Sequence, residues 1–336
     1  MHKIVFIQGG GVGFDQAQSV RRILSAAGVA IDWLDFPAGL AAKAQGLPAL
    51  PEEMLKAVRK YGIALKTKLL PAPAGPSSDG LPANDNVQFR KALDLYASVR
   101  PVQNLAGLPS RFQNVHFLLV REITEDLYAT SEHEIVPGVV QSFKIVTEAA
   151  CLRFFRFAFE LAVKHNRKSI HCIHKANILK VADGLYLDCF QRIARDYPGI
   201  QPKEMIVDNC CMQLVSRPHQ FEMLAAGNLY GDLLSDLGAG LVGGIAATSA
   251  INHGDNVRVY EAIYGASRES IGADRANPLP LILPALEMLK DLGEANAAQR
   301  VLKAVETVLQ SGDCRTADLG GNASTSEFTD TIIHAL

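Results

Sequence analysis

Lys3-Ile-Val-Phe-Ile7, followed by Gln8-Gly-Gly-Gly-Val-Gly13, decides the fold class of this chain. The first run is short, apolar and rich in β-branched side chains, the composition of a buried strand, and the glycines stop it. From Ala17 to Ala27 the apolar positions recur with helical spacing, so the chain opens as strand, tight turn and helix. Further strands are expected over 30–36, 115–120, 169–173, 204–207 and 257–261, and helices around 52–60, 145–165, 184–197 and 232–243. Such alternation gives an α/β fold with a largely parallel sheet covered by helices. The glycine loop is not a dinucleotide fingerprint. Gly9-x-Gly11 would need Gly or Ala where Phe14 stands, and the Gly-Lys-Ser/Thr ending of a phosphate loop is missing, so a tight strand-to-helix turn is the better reading.

The rest of the chain fits one large or two interleaved domains. With 336 residues and 48% hydrophobic side chains it can bury a substantial core. Residues 70–86, with four prolines among Gly, Ser, Asn and Asp, read as a long loop, and 278–309 as two packed helices. A net charge of −2 gives no support for nucleic acid or an anionic membrane as partner, which leaves small molecules. The six cysteines have no regular spacing, and adjacent Cys210-Cys211 forms neither a redox motif nor a zinc knuckle. With no apolar run long enough for a signal segment or a membrane span, a cytoplasmic location is expected.

The chemistry concentrates in Asn228-Leu-Tyr-Gly-Asp232-Leu-Leu-Ser-Asp236. If Gly231 breaks a strand or loop and a helix follows, Asp232 and Asp236 stack on one helical face within reach of one cation. Hard divalent ions prefer such oxygen ligands and keep positions open for substrate and water. The other reading is a helix start with acids near the positive end of its dipole. Spacing alone leaves both open.

Arg100-Pro, Arg121-Glu-Ile-Thr-Glu-Asp-Leu-Tyr128, His174-Lys-Ala-Asn-Ile-Leu-Lys180, Val207-Asp-Asn209 and Asn228-Leu-Tyr-Gly-Asp232 occur in that order. In order and spacing the chain resembles the β-decarboxylating dehydrogenases, which act on isocitrate, homoisocitrate, isopropylmalate, tartrate and D-malate. Leu93-Asp-Leu-Tyr-Ala, Glu132-His-Glu-Ile-Val-Pro-Gly-Val-Val140 and Asp208-Asn-Cys-Cys-Met-Gln213 look most like the NAD-type isocitrate dehydrogenases. The resemblance implies a large domain from 1–97 and 239–336 on the nucleotide side and a smaller α/β domain from 98–238 carrying the metal and the dimer contact, with a cleft between them. It implies metal-dependent oxidative decarboxylation of a 2-hydroxy-3-carboxy acid, first of all isocitrate to 2-oxoglutarate with NAD. Asp208, Asp232 and Asp236 would hold Mg²⁺ or Mn²⁺, Lys175 would serve as base toward the hydroxyl, and Tyr128 would return a proton to the enolate. Asn84, Asn86, Arg90, Arg100 and Arg121 would bind substrate, the arginines as forked donors to carboxylates. Tyr264, Gly265, Glu269 and Asn277 would bind the cofactor. A homodimer with shared sites follows, Lys175 and Asp208 reaching across from the partner subunit. His133, His174, Lys180 and His253 receive no role.

Departures from the family pattern cluster on the nucleotide side. Where the family reads His-Gly-Ser-Ala-Pro-Asp, this chain has Tyr264-Gly-Ala-Ser-Arg-Glu269, and the opening loop and Thr248-Ser-Ala-Ile-Asn-His-Gly254 also differ. Glu269 falls where an acid would accept ribose hydroxyls and repel a 2′-phosphate, favouring NAD over NADP. On the substrate side Asn84 takes the place of a serine and Ile123 that of an asparagine. Two alternatives therefore stand beside the dehydrogenase: a redox-neutral, metal-assisted decarboxylase of a β-keto acid, and a non-catalytic regulatory subunit.

Overall fold

The structure is a computed structural model and describes residues 1–70, 84–129 and 132–336. Residues 71–83 of the loop expected over 70–86 lie outside the described residues. In chain order the strands are β1 (His2–Gln8), β2 (Ile31–Pro37), β3 (Ile63–Lys66), β4 (Ala97–Gln103), β5 (His116–Glu122), β6 (Glu132–Val136), β7 (Val139–Ser142), β8 (Ser169–His174), β9 (Gln201–Ile206), β10 (Met223–Ala226), β11 (Ala250–His253) and β12 (Arg258–Glu261). They divide between two compact units.

The first unit comprises Met1–Leu93, Asn104–Arg111 and Gly243–Leu336, with strand order β2-β1-β3-β12-β11. All pairings are parallel except β11 with β12. Ile4, Val5, Phe6 and Ile7 of β1 are all buried, the continuous apolar run that a strand covered on both faces needs. Gly10 and Gly11 turn the chain with φ of 101° and 58°, a region side chains avoid, and the helix Gly13–Ala26 follows. The two helices expected over 278–309 are Leu279–Asp291 and Ala295–Ser311.

The second unit comprises Asp94–Gln103 and Phe112–Val242, with order β4-β5-β10-β8-β9, parallel except β4 with β5. Strand β10 is too short for a periodic signature, and β4 carries Arg100 and Pro101 inside it, which hid both from pattern reading. The helix Glu148–Lys164 starts at Thr147, whose side chain accepts from Ala150 N. It lays Phe154, Phe155 and Phe159 against Tyr186 and Phe190 of helix Ala182–Ala194. Fully burying an aromatic ring of this kind contributes about 1.5–3 kcal/mol. Strands β6 and β7 form a separate hairpin with Ile135, Val136, Val139 and Val140 exposed.

Two boundaries near the chemistry differ from expectation. The strand expected over 204–207 ends at Ile206, and Val207 already opens the helix Val207–Ser216, so Asp208 sits in a first helical turn. The helix expected over 232–243 runs Asn228–Leu241, so Gly231 lies within it rather than before it.

Candidate active site

Within the second unit, Asp232 is the hub of the candidate site. It lies one turn into the helix Asn228–Leu241, which packs against β5, and Arg121 comes from β5 itself. Arg121 is 1% exposed; its Nε and Nη2 donate to Asn228 Oδ1 at 3.0 and 2.7 Å, and its Nη1 donates to Asp232. The Tyr128 hydroxyl donates to the other oxygen of Asp232, while the Arg121 guanidinium lies 4.9 Å from the Tyr128 ring centroid. Arg100 on β4 donates to Ser235 Oγ at 2.6 Å and stands 3.9 Å from Asp232. Ser235 Oγ in turn donates to the Asp232 carbonyl at 2.7 Å and lies 3.5 Å from Asp236 Oδ1. Burial, then the hydrogen bond to Asp232, holds the Tyr128 phenol above its ordinary value.

The base of this helix is braced by a second set of charges. Asn228 Nδ2 donates to Glu125 O at 3.1 Å, and Asp126 accepts from Leu229 N at 3.0 Å. Lys144 donates to Asp183 at 2.5 Å and lies 4.5 Å from the Tyr230 ring centroid. The first turn of this helix is thus fixed to the turn after β5 and, through Lys144, to the helix Ala182–Ala194.

Lys175 and Asp208 form their own pair in the same unit. Lys175 follows β8, its backbone N–H donates to Asp183 at 2.6 Å, and its Nζ is bonded to Asp208. That hydrogen bond holds the exposed Asp208 carboxyl below its ordinary value. Among the described residues no three His, Cys, Asp or Glu side chains stand together as a metal site. Asp232 and Asp236 are one turn apart, but Asp208 is neutralised by Lys175 instead of joining them, so the three aspartates expected to share a cation do not converge within one chain. The donors present still suit a hard divalent ion, being carboxylates on a helix face that is partly open, with Asp232 37% exposed.

The residues of the first unit form a network of their own. Lys66 on β3 and Glu261 on β12 are paired across the strands at 2.8 Å, both buried, and Arg90 stands 3.6 Å from the same carboxylate. Burial alone would push Glu261 up, but Lys66 and then Arg90 outweigh it and hold the carboxyl well below the usual range. Lys66 Nζ also reaches Asn86 Oδ1 at 3.5 Å, and Asn86 Nδ2 donates to Leu69 O at 3.3 Å. Asn84, expected to touch substrate, caps the helix Asp85–Ala92, accepting from Asn86 N and Val87 N. Sequence reading missed Lys66 and Glu261. The signal was a charge closing each of two apolar strands, Ile63-Ala-Leu-Lys66 and Val257–Glu261.

The nucleotide-side residues also lie in the first unit. Gly265 is pressed against Lys68, whose Cβ would be 2.5 Å from an added Cβ. Tyr264 is half-buried, and burial raises its phenol. Glu269 is exposed in the short helix Arg268–Ile271, while Arg268 is ion-paired to Asp15. Asn277 is buried and spent internally: its Nδ2 donates to Asp318 at 2.9 Å and its Oδ1 accepts from Leu279 N at 2.9 Å.

The family model described as isocitrate/isopropylmalate dehydrogenase matches residues 3–332. The chain is 40% identical over 325 residues to an NAD isocitrate dehydrogenase catalytic subunit of Arabidopsis thaliana, covering 96% of this chain and 86% of that protein. It is 41% identical over 337 residues to a regulatory subunit from the same plant, covering 98% and 88%. The crystal structure of isocitrate dehydrogenase from Methylococcus capsulatus superimposes with a TM-score of 0.91 at 37% identity, covering 100% of this chain and 99% of that one. Both plant relatives are mitochondrial proteins, which overturns the expectation of a cytoplasmic location. Free thiols and the lack of a long apolar run are features of any reducing aqueous compartment, so composition does not choose among such compartments.

Proposed function

The chain belongs to the isocitrate/isopropylmalate dehydrogenase family, and from that premise we propose that it oxidatively decarboxylates a 2-hydroxy-3-carboxy acid, isocitrate foremost, with NAD and Mg²⁺ or Mn²⁺. The observation that carries the reading is the Asp232 hub, where two buried guanidinium forks and a phenol meet one carboxylate on a helix.

In this reading Arg100 and Arg121 grip substrate carboxylates through paired N–H donors. Lys175 Nζ takes the hydroxyl proton. Once the carbinol carbon has given up its hydride and become a ketone, the bond to the 3-carboxylate breaks with its electron pair passing into the enolate, CO₂ leaves, and the enolate takes a proton from Tyr128 Oη. Asp232, Asp236 and Asp208 would hold the cation, and Tyr264, Gly265 and Glu269 would line the place of the nucleotide, whereas Asn277 is buried and bonded internally. When bound, NAD supplies the hydride acceptor and the divalent ion supplies positive charge beside the developing oxyanion. The family resemblance assigns Lys175 and Asp208 to the site of a partner subunit, and their pairing with each other rather than with Asp232 and Asp236 is compatible with it; the working form is then a homodimer.

A panel of 2-hydroxy acids with NAD or NADP, with and without Mn²⁺, tests the proposal by the appearance of reduced nicotinamide. Turnover of isocitrate with NAD and Mn²⁺ is expected. A folded dimer that turns over none of the acids defeats it. A second reading, a regulatory subunit, is favoured by the similarity to named regulatory subunits at the same identity as to catalytic ones. Activity that arises only on adding a catalytic homologue would establish that reading instead.

A further inference from the structure

In the first unit a cleft of about 410 Å³ opens at the carboxyl ends of two adjacent parallel strands, lined by the last residues of β1 and β2, Gln8 and Pro37. Its volume lies in the range of roughly 300–1,000 Å³ typical of small-molecule sites, and it opens outside the carboxyl ends of parallel strands, on the β2 side of β1 and away from the β1/β3 switch point of the sheet. None of the residues assigned above to catalysis, metal or cofactor lines it.

The chemistry of the walls selects a class of ligand. Phe14 presents its ring at 47% exposure, open to a stacking partner, and Phe36 adds a second ring. Gln8 and Gln18 bring carboxamides, each able both to donate and to accept. Gln8 Nε2 is buried and has no acceptor among the described residues, a donor waiting for a partner. Asp35 lines the cleft near the end of β2 and offers carboxylate oxygens as acceptors for hydroxyl groups.

Charge and backbone exclude an anion. The Arg21 guanidinium is already forked onto Asp35, with Nη1 3.2 Å from Oδ2, so the pair is neutral. The first N–H groups at the helix Gly13–Ala26 are taken: Val12 by Ala266 O at 3.0 Å, Gly13 by Gly10 O at 3.2 Å and Phe14 by Gly11 O at 3.4 Å. Arg268, whose guanidinium lies 5.7 Å from the Phe14 ring centroid, is bound to Asp15. A phosphate would find these two guanidiniums already ion-paired and these three amides already bonded.

We propose that this cleft binds a neutral purine nucleoside, with the base on Phe14 and its edge read by Gln8 and Gln18. Asp35 accepts from the ribose hydroxyls.

Calorimetric titration of the full chain with adenosine tests it. Trp33, the sole tryptophan, gives a second signal, because Arg21 of the cleft stacks 5.4 Å from its ring centroid. One site per chain is expected. Phe14→Ala should weaken it about tenfold or more, as loss of a base-stacking ring does, and Gln8→Leu should weaken it as well. Tyr264→Ala, on the loop assigned to the cofactor, should leave it unchanged. Phe14 is exposed, so its loss does not threaten the fold, and circular dichroism of the variant checks this. No binding up to the solubility limit overturns the proposal, as does binding that survives Phe14→Ala or is lost with Tyr264→Ala.

Discussion

A Cβ placed on Gly231 would stand 2.5 Å from Cγ of Arg121 and 2.7 Å from its Cβ. Glycine within a helix usually weakens it by about 1 kcal/mol relative to alanine. Here it is the only residue that lets the Arg121 side chain lie flat across the first turn, with Asn228 on one side of the contact and Asp232 on the other. The crowding atoms belong to the root of the arginine, not its flexible end, so a side chain at 231 must move the whole guanidinium.

Gly231→Ala is therefore expected to fold, with a small change in stability, and to lose substrate binding. Misplacing one charge-assisted fork costs about 1.5–3 kcal/mol, or about 10- to 150-fold in affinity. Steady-state kinetics on the substrate acid check this; an unchanged KM would show that Arg121 does not hold a carboxylate.

The buried Lys66–Glu261 pair makes a stability test. Lys66→Met leaves Glu261 buried with Arg90 as the remaining cation beside it among the described residues and is expected to cost about 3–5 kcal/mol in urea unfolding. Lys66→Met/Glu261→Leu should recover part of that loss, since both charges leave together. Because Lys66 and Arg90 hold the Glu261 carboxyl below its ordinary value, the contribution of the pair is present above that value. It is lost only as pH falls through the depressed one, in strong acid. Strictly additive single and double variants would show the two groups to be uncoupled.

His171 sets a pH dependence at milder acidity. It lies buried in β8, facing Lys203 across the strand pair and Phe221 edge-on. Burial, then the Lys203 charge, lowers it from 6.5 to about 4. Between those values the unfolded chain binds the proton and the folded chain does not, so stability is full above about 6.5 and declines as pH falls toward about 4. Thermal unfolding across that window should show the decline, and His171→Leu should flatten it. An equal slope in the variant would place its origin elsewhere.

Asp208 should matter for turnover and hardly at all for folding. Its pairing with Lys175 is exposed to solvent, and an exposed ion pair adds little to folding. Asp208→Asn is expected to keep the unfolding midpoint while Mn²⁺-dependent turnover falls about 100-fold.

Shared sites can be tested by mixing subunits. Lys175→Met and Asp232→Asn chains, each inactive alone, should regain about a quarter of wild-type activity after co-refolding, because half the dimers then carry one complete site. No recovery in verified mixed dimers would place every catalytic group in one chain.

Much of the fold was legible because it is written locally. The apolar run of β1, the glycine turn and the two final helices are periodic over a few residues, and the helices expected around 52–60 and 145–165 appear as Glu52–Tyr61 and Glu148–Lys164. Strands β4 and β10 escaped because one holds an arginine and a proline and the other is four residues long. Their strand character comes from pairing with β5 and not from their own composition. Among the candidate site residues, Asp232 and Asp236 fell on one helix face as their spacing implied, but the helix began four residues earlier than expected.

The sequence by itself determined the α/β class, the family and the kinds of side chain available for the chemistry, since these depend on residue type, order and short-range period. The tertiary structure alone decided that Gly231 makes room for Arg121, that Asn84 and Asn277 are occupied in capping and bracing, that Lys66 and Glu261 meet underground, and that Asp208 turns to Lys175. Apart from the local cap at Asn84 and the Asn277 bond to Leu279, each of these is a contact between segments far apart in the chain, and close approach of that kind is fixed by strand register and side-chain packing, which no local pattern encodes.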